Sequence, residues 1–170
     1  PEHGALPTKQ QQMGRKHFTQ IPNGTGGLHE RLPVLWAAGV NTGPLTKAEF
    51  VAATSTNIAK ILNNYPRKGS IRVGADADVV IWDPKATKTI SYKTQVSRID
   101  YNVFEGFECV GLPRIVISRG KVAYEDGVVK AKAGDGVYIE RPANAPVHQS
   151  NAIWKGLTQT KGVKRMDVVP

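Results

Sequence analysis

Cysteine is all but missing from this sequence: Cys109 stands alone among 170 residues. A lone thiol excludes an internal disulfide and any cysteine-rich zinc site. It suits a thiol-tolerant, reducing compartment, so a cytoplasmic setting is expected. As a nucleophile Cys109 has little support, because the adjacent Glu108 raises a thiol pKa rather than lowering it. A half-buried strand position is expected instead. Histidine is sparse and scattered. His3, His17, His29 and His148 form no H-x-H, no H-x-x-x-H and no pairing with a well-spaced carboxylate. Each therefore reads as a surface or loop residue. The sequence has no G-x-S-x-G elbow, no Walker loop and no dinucleotide glycine pattern. No run approaches the ~20 apolar residues of a membrane span. Neither an initiator Met nor a basic and apolar leader precedes Pro1, so a processed product or a fragment is expected.

What is present is enough to fold. Hydrophobic residues make up 40% of the chain, which supports a core and excludes wholesale disorder. Lys and Arg number 23 against 14 Asp and Glu, for a net charge of +9. Such a balance raises nucleic-acid binding as a reading. Its distribution argues against it: residues 1–68 carry +5, residues 69–130 only +1, and residues 131–170 +3. Only Lys161, Lys164 and Arg165 cluster, and Trp36, Trp82, Tyr101 and Phe104 do not interleave with basic residues as a stacking platform requires. No nucleic-acid partner and no membrane contact are expected.

The order of elements reads helices first, strands later. Ile21-Pro22-Asn23-Gly24-Thr25-Gly26-Gly27 is a glycine-dense loop. It reads equally as a plain connector or as backbone brought close to a ligand. Leu28, Leu32, Leu35, Trp36 and Val40 predict a helix over 28–40, with Pro33 in its first turn. Thr46 and Glu49 have capping-box spacing and predict the next helix start. Thr54-Ser55-Thr56-Asn57 predicts an interruption and a recapped helix through Ile58 to Leu62, ended by Tyr65-Pro66.

Beyond Gly69 the pattern turns to strands. They are expected at Ser70–Val73, at Ala77–Trp82 ended by Asp83-Pro84, at Thr87–Ser91, and in a hairpin Ile115–Tyr124 turning on Arg119-Gly120. Asp126-Gly127 predicts one further turn, and residues 135–170 read as an extended tail with at most a short helix near Trp154. Asp76-Ala77-Asp78 reads as a carboxylate-capped turn, not a metal site. Taken alone, these residues make no catalytic centre.

Several ordered strings carry a resemblance. They are Ile21-Pro22-Asn23-Gly24 with His29-Glu30-Arg31-Leu32, then Thr54 to Lys60 with Tyr65-Pro66-Arg67-Lys68-Gly69. Gly74 to Pro84, Tyr101-Asn102-Val103-Phe104-Glu105-Gly106 and Ile117 to Val122 follow in register. From about Glu2 to Pro142 the chain resembles the dihydropyrimidinase and D-hydantoinase family of cyclic amidohydrolases. The resemblance implies an α/β chain. Residues 1–68 would close a TIM-type (β/α)8 barrel, residues 69–134 would supply strands of a small β-sandwich, and 135–170 would be a subunit-contacting or loose tail.

The implied activity is hydrolysis of the ring amide of a dihydropyrimidine or hydantoin. Two zinc ions would lower the pKa of water and polarise the carbonyl. Most of the family's metal ligands would lie upstream of Pro1, so the chain alone is expected to bind no zinc and to be inactive. Glu2 falls where the family has the Asp that ligates metal and shuttles the proton. Its extra methylene displaces the carboxylate by about an ångström, a shift that costs ~100-fold at a catalytic group. Asn23 falls on the family's substrate-binding loop, whose main chain bonds the cyclic imide. The resemblance also implies a homo-oligomer, a tetramer in the family, with Gly136 to Pro142 crossing onto a neighbour. It leaves a second reading open: a non-catalytic assembly protein resembling the collapsin response mediator proteins.

Overall fold

A computed structural model describes residues 3–141 and 146–163, with backbone alone at 146–148. Helices lie in the first part, strands in the middle, and one more helix follows. Short helical turns at α1 (Thr8–Gln11) and over Gln12–Arg15 and Phe18–Gln20 lead to α2 (Arg31–Leu35). Pro33 sits in the first turn of α2, as its missing N–H requires. The helix then widens into a π-helical turn over Trp36–Val40, closed by Asn41 N–H donating to Trp36 O at 3.1 Å. Helix α3 (Lys47–Val51) opens on a complete capping box: the Thr46 hydroxyl accepts from Glu49 N–H, and the Glu49 carboxylate accepts from Thr46 N–H.

The expected interruption at Thr54–Asn57 does not occur. The helix continues through a π-helical turn, Ala52–Thr56, into α4 (Asn57–Ile61). The hydroxyls do not cap a new helix start; they donate to carbonyls, Thr54 to Phe50 O at 2.7 Å and Thr56 to Gly69 O at 2.8 Å. Helix α4 also ends before Tyr65-Pro66. Its last turn closes at Leu62, and Asn63 then takes a left-handed φ of 56°.

One four-stranded antiparallel sheet follows, in the order β1 (Val79–Thr89), β2 (Glu108–Ser118), β3 (Lys121–Glu125), β4 (Val128–Val129). Ser70–Val73 is a loop instead of the expected strand. Gly69 and Gly74 bend the chain at φ 76° and 86°, and Asp76 N–H donates to Arg67 O at 2.9 Å. Asp83-Pro84 does not end a strand either. The Asp83 carboxylate accepts from Lys85 and Ala86 N–H at 2.9 and 3.2 Å, absorbing the proline in a bulge while β1 runs on to Thr89. The two predicted turns are present: Arg119-Gly120 at φ 50° and 80° and Asp126-Gly127 at φ 44° and 90°, both left-handed as a type I′ two-residue turn requires. The tail is not wholly extended, because α5 (Pro146–Leu157) carries Trp154 in a 12-residue helix.

Helices and sheet meet on an aromatic cluster. Trp36, Phe50 and Trp82 stack with centroids 5.0 to 5.8 Å apart. Gly111 of β2, at φ 104°, lets the indole of Trp36 approach. A Cβ there would lie 2.3 Å from its ring atoms. Among the described residues the buried apolar core is Trp36, Phe50, Ala59, Ile90, Ile99 and Cys109. No described helix is long and apolar enough to cross a membrane.

Candidate functional site

Two segments far apart in local pattern come together near the start of the chain. His3 bridges Thr25 in parallel, and Gly4 N–H donates to Thr25 O at 3.2 Å. Gly27 N–H donates to His3 Nδ1 at 3.4 Å. The approach is close: a Cβ on Gly4 would lie 3.0 Å from the Gly24 carbonyl carbon and 3.3 Å from Asn23 O, so the loop would have to give by a few tenths of an ångström. Gly24 itself turns the loop at φ 87°, and Gln11 Nε2 donates to its carbonyl at 3.4 Å. Asn23 is exposed on this loop. Glu2 lies outside the described residues, but its neighbour His3 is against the Asn23 loop. Residues 21–27 are thus closely packed against the His3–Gly4 segment.

Behind the loop stand two residues that sequence reasoning passed over. Ile99 is buried against Gly26, and the Asp100 carboxylate accepts from both the backbone and the hydroxyl of Thr8, at 2.8 and 3.0 Å. The Thr8 N–H holds the Asp100 carboxyl below the usual range. No local spacing signals a contact between residues 92 positions apart.

A second concavity, about 320 Å³, lies between the start of α2 and the sheet and is lined by His29, Glu30, Lys88, Cys109, Leu112 and Tyr124. Glu30 is 5% exposed and faces His29 Nδ1 at 3.3 Å. Burial and the Lys88 cation lower the His29 pKa, against the pull of Glu30. Cys109 is fully buried rather than half-buried, and burial pushes its thiol pKa up. That is the opposite of what a nucleophile needs. The Asp76 and Asp78 carboxylates pair with Lys68, and Asp76 also with Arg67 at 3.1 Å. They fasten the turn before β1, as the sequence indicated.

The model of the amidohydrolase family matches residues 10–123. The chain belongs to the amidohydrolase family. Within it, this amidohydrolase chain stands with the dihydropyrimidinases and hydantoinases. It is 52% identical over 134 residues to dihydropyrimidinase of Rattus norvegicus, covering 79% of this chain and 26% of that protein. It is also 52% identical over 137 residues to dihydropyrimidinase-related protein 5 of Mus musculus, covering 81% and 24%. Among solved structures, a D-hydantoinase (dihydropyrimidinase) from Thermus sp. superposes with a TM-score of 0.76 at 46% identity, covering 80% of this chain and 30% of that one. The chain thus spans about a quarter of the length of the curated relatives it matches.

Amidohydrolases as a family are generally metal-dependent. Among the described residues no three His, Cys, Asp or Glu side chains converge on one point. His3 already accepts a backbone N–H through Nδ1. The described part of this amidohydrolase chain does not by itself make a metal centre.

Proposed function

We propose that this chain is the C-terminal part of a metal-dependent cyclic amidohydrolase that hydrolyses the ring amide of dihydropyrimidines or hydantoins. The observation that carries the reading is the pairing of His3–Gly4 with Thr25. It sets the segment following Glu2 beside the Asn23–Gly24 backbone. In this reading residues 1–68 close a TIM-type barrel and 69–134 contribute to a β-sandwich. Asn23 offers main-chain groups to the cyclic imide, and Glu2 stands at the position of one metal ligand. The intact protein holds two zinc ions, supplying a Lewis acid and an activated water. It works as a cytoplasmic homo-oligomer of tetrameric type.

The surface area supports an incomplete unit. The chain exposes 13292 Å², whereas a folded monomer of its mass exposes about 8,200 Å² by the usual scaling. In this reading the isolated chain, without the upstream metal ligands, is inactive. Assay of the purified 170-residue chain with added zinc and dihydrouracil or hydantoin should give no metal-stimulated rate, and a rate would overturn that statement. The full-length protein should hydrolyse one of them and lose the activity to a chelator.

The second reading, a non-catalytic assembly protein resembling the collapsin response mediator proteins, is favoured by Glu2 in place of Asp. The 52% identity to dihydropyrimidinase-related protein 5, equal to that with dihydropyrimidinase, also leaves it standing. A full-length protein that binds no zinc and hydrolyses neither ring would establish it.

A further inference from the structure

Residues 91–107 leave the sheet after β1 and return to it before β2. The neck of this loop is closed by Ile90 N–H donating to Phe107 O and Gly106 N–H donating to Ile90 O, both at 2.9 Å. Inside, the Glu105 carboxylate accepts from the Ser91 hydroxyl and Tyr92 N–H at 2.8 and 2.7 Å. The Gln95 amide donates to Ile99 O at 2.7 Å and Tyr101 O at 3.2 Å, and accepts from Asn102 Nδ2 at 2.8 Å. A loop so tied by side-chain bonds holds one shape.

Its edge is Ile99–Asp100, and the two residues reach two different segments, Gly26 of the Asn23 loop and Thr8 of α1. Ile99, 7% exposed, packs on Gly26 so closely that a Cβ there would lie 2.1 Å from Ile99 Cδ1. Asp100 takes both polar groups of Thr8, four residues beyond Gly4. Among the described residues the direct links between the Asn23 loop and the His3–Gly4 segment are the His3–Thr25 bridge, Gly4 N–H to Thr25 O at 3.2 Å and Gly27 N–H to His3 Nδ1 at 3.4 Å.

We infer that Ile99 and Asp100 are positioning residues that hold the substrate loop around Asn23 and the His3–Gly4 segment in register. The inference rests on reading that loop as substrate-binding. Neither residue touches substrate; they act through Gly26 and Thr8. A binding backbone must be held to about half an ångström to work, and the sheet-borne loop supplies the anchor.

Two measurements test this. In the 170-residue chain, without any ligand, Asp100→Ala should speed amide hydrogen exchange about tenfold at Thr8, Gly4 and Gly27 while the amides of β2 stay protected. Asp100→Asn keeps an acceptor oxygen and should restore most of that protection. Ile99→Val should loosen Gly27 in the same way. Acceleration confined to Thr8, or acceleration spread evenly over the sheet in both Asp100→Ala and Ile99→Val, would overturn the inference. In the full-length protein, Asp100→Ala should raise the KM for the cyclic amide about tenfold with a smaller change in kcat, since uniform binding is lost. A fall in kcat at constant KM would also overturn it. If the unaltered full-length protein hydrolyses nothing, the hydrolase reading fails while the exchange data still decide whether Ile99 and Asp100 hold the loop.

Discussion

Cys109 lies opposite Lys88 across the β1–β2 ladder, 1% exposed, with its thiol pKa raised by burial despite that cation. A thiol reacts as thiolate and only when reached. At neutral pH, iodoacetamide should leave Cys109 unmodified in the folded chain and alkylate it after denaturation, as mass spectrometry would record. Carboxylates on the surface behave differently. The hydrogen bond from Lys68 holds Asp76 below the usual range, and Thr8 N–H does the same for Asp100. A carboxyl whose folded pKa is depressed contributes stability above its unfolded value, about 3.9, and loses it as pH falls through the folded one. The urea midpoint should therefore drop as pH is lowered below about 4. Asp76→Asn should flatten that part of the profile, modestly because the groups face solvent.

At the scale of elements, the signals that were legible in the sequence are those whose partners are close along the chain. Thr46 and Glu49 are three residues apart, and their capping box formed as read. Thr46→Ala should cost about 1 kcal/mol in urea denaturation. Arg119-Gly120 and Asp126-Gly127 announce their hairpins because the type I′ turn, one of the two favoured two-residue turns, needs positive φ at both central positions, which glycine adopts freely. The misread elements have partners elsewhere. The Thr56 hydroxyl bonds Gly69 O across 13 residues instead of starting a helix, and β2 holds β1 in the sheet on both sides of Asp83-Pro84. Nothing near Gly111 in sequence says that it meets Trp36, yet that contact fixes helix against sheet. Gly111→Ala combines a left-handed φ with overpacking, which by itself costs about 1–3 kcal/mol, so a larger loss than for Thr46→Ala is expected in the same assay. The candidate site divides along the same line. From composition alone residues 21–27 read equally as a connector or a ligand-facing loop, and only the family resemblance singled out Asn23, whereas the contacts of Ile99 and Asp100 exist only through folding.

For the whole molecule, charge and apolar exposure make opposite demands on solubility. The net charge of +9 disperses rather than concentrates. Arg67 and Lys68 pair with Asp76, Lys130 with Glu125, Arg114 with Asp126 and Lys121 with Asp135. Apolar exposure is the stronger feature. Val80, Ile81, Val110 and Val122 of the sheet are each more than 40% exposed, and Ile153, Trp154 and Leu157 of α5 more than 60%. Exposed apolar faces of this kind mark candidate contact surfaces. The isolated chain should bind a dye such as anilinonaphthalene sulfonate and sediment as concentration-dependent oligomers, increasingly so as salt screens its +9 charge. On the proposed reading a full-length protein covers these surfaces, so its dye binding per chain should fall and its sedimentation should settle on a single species. A monomeric, dye-silent 170-residue chain would mean that these faces need no cover, and would remove the surface-area argument for an incomplete unit.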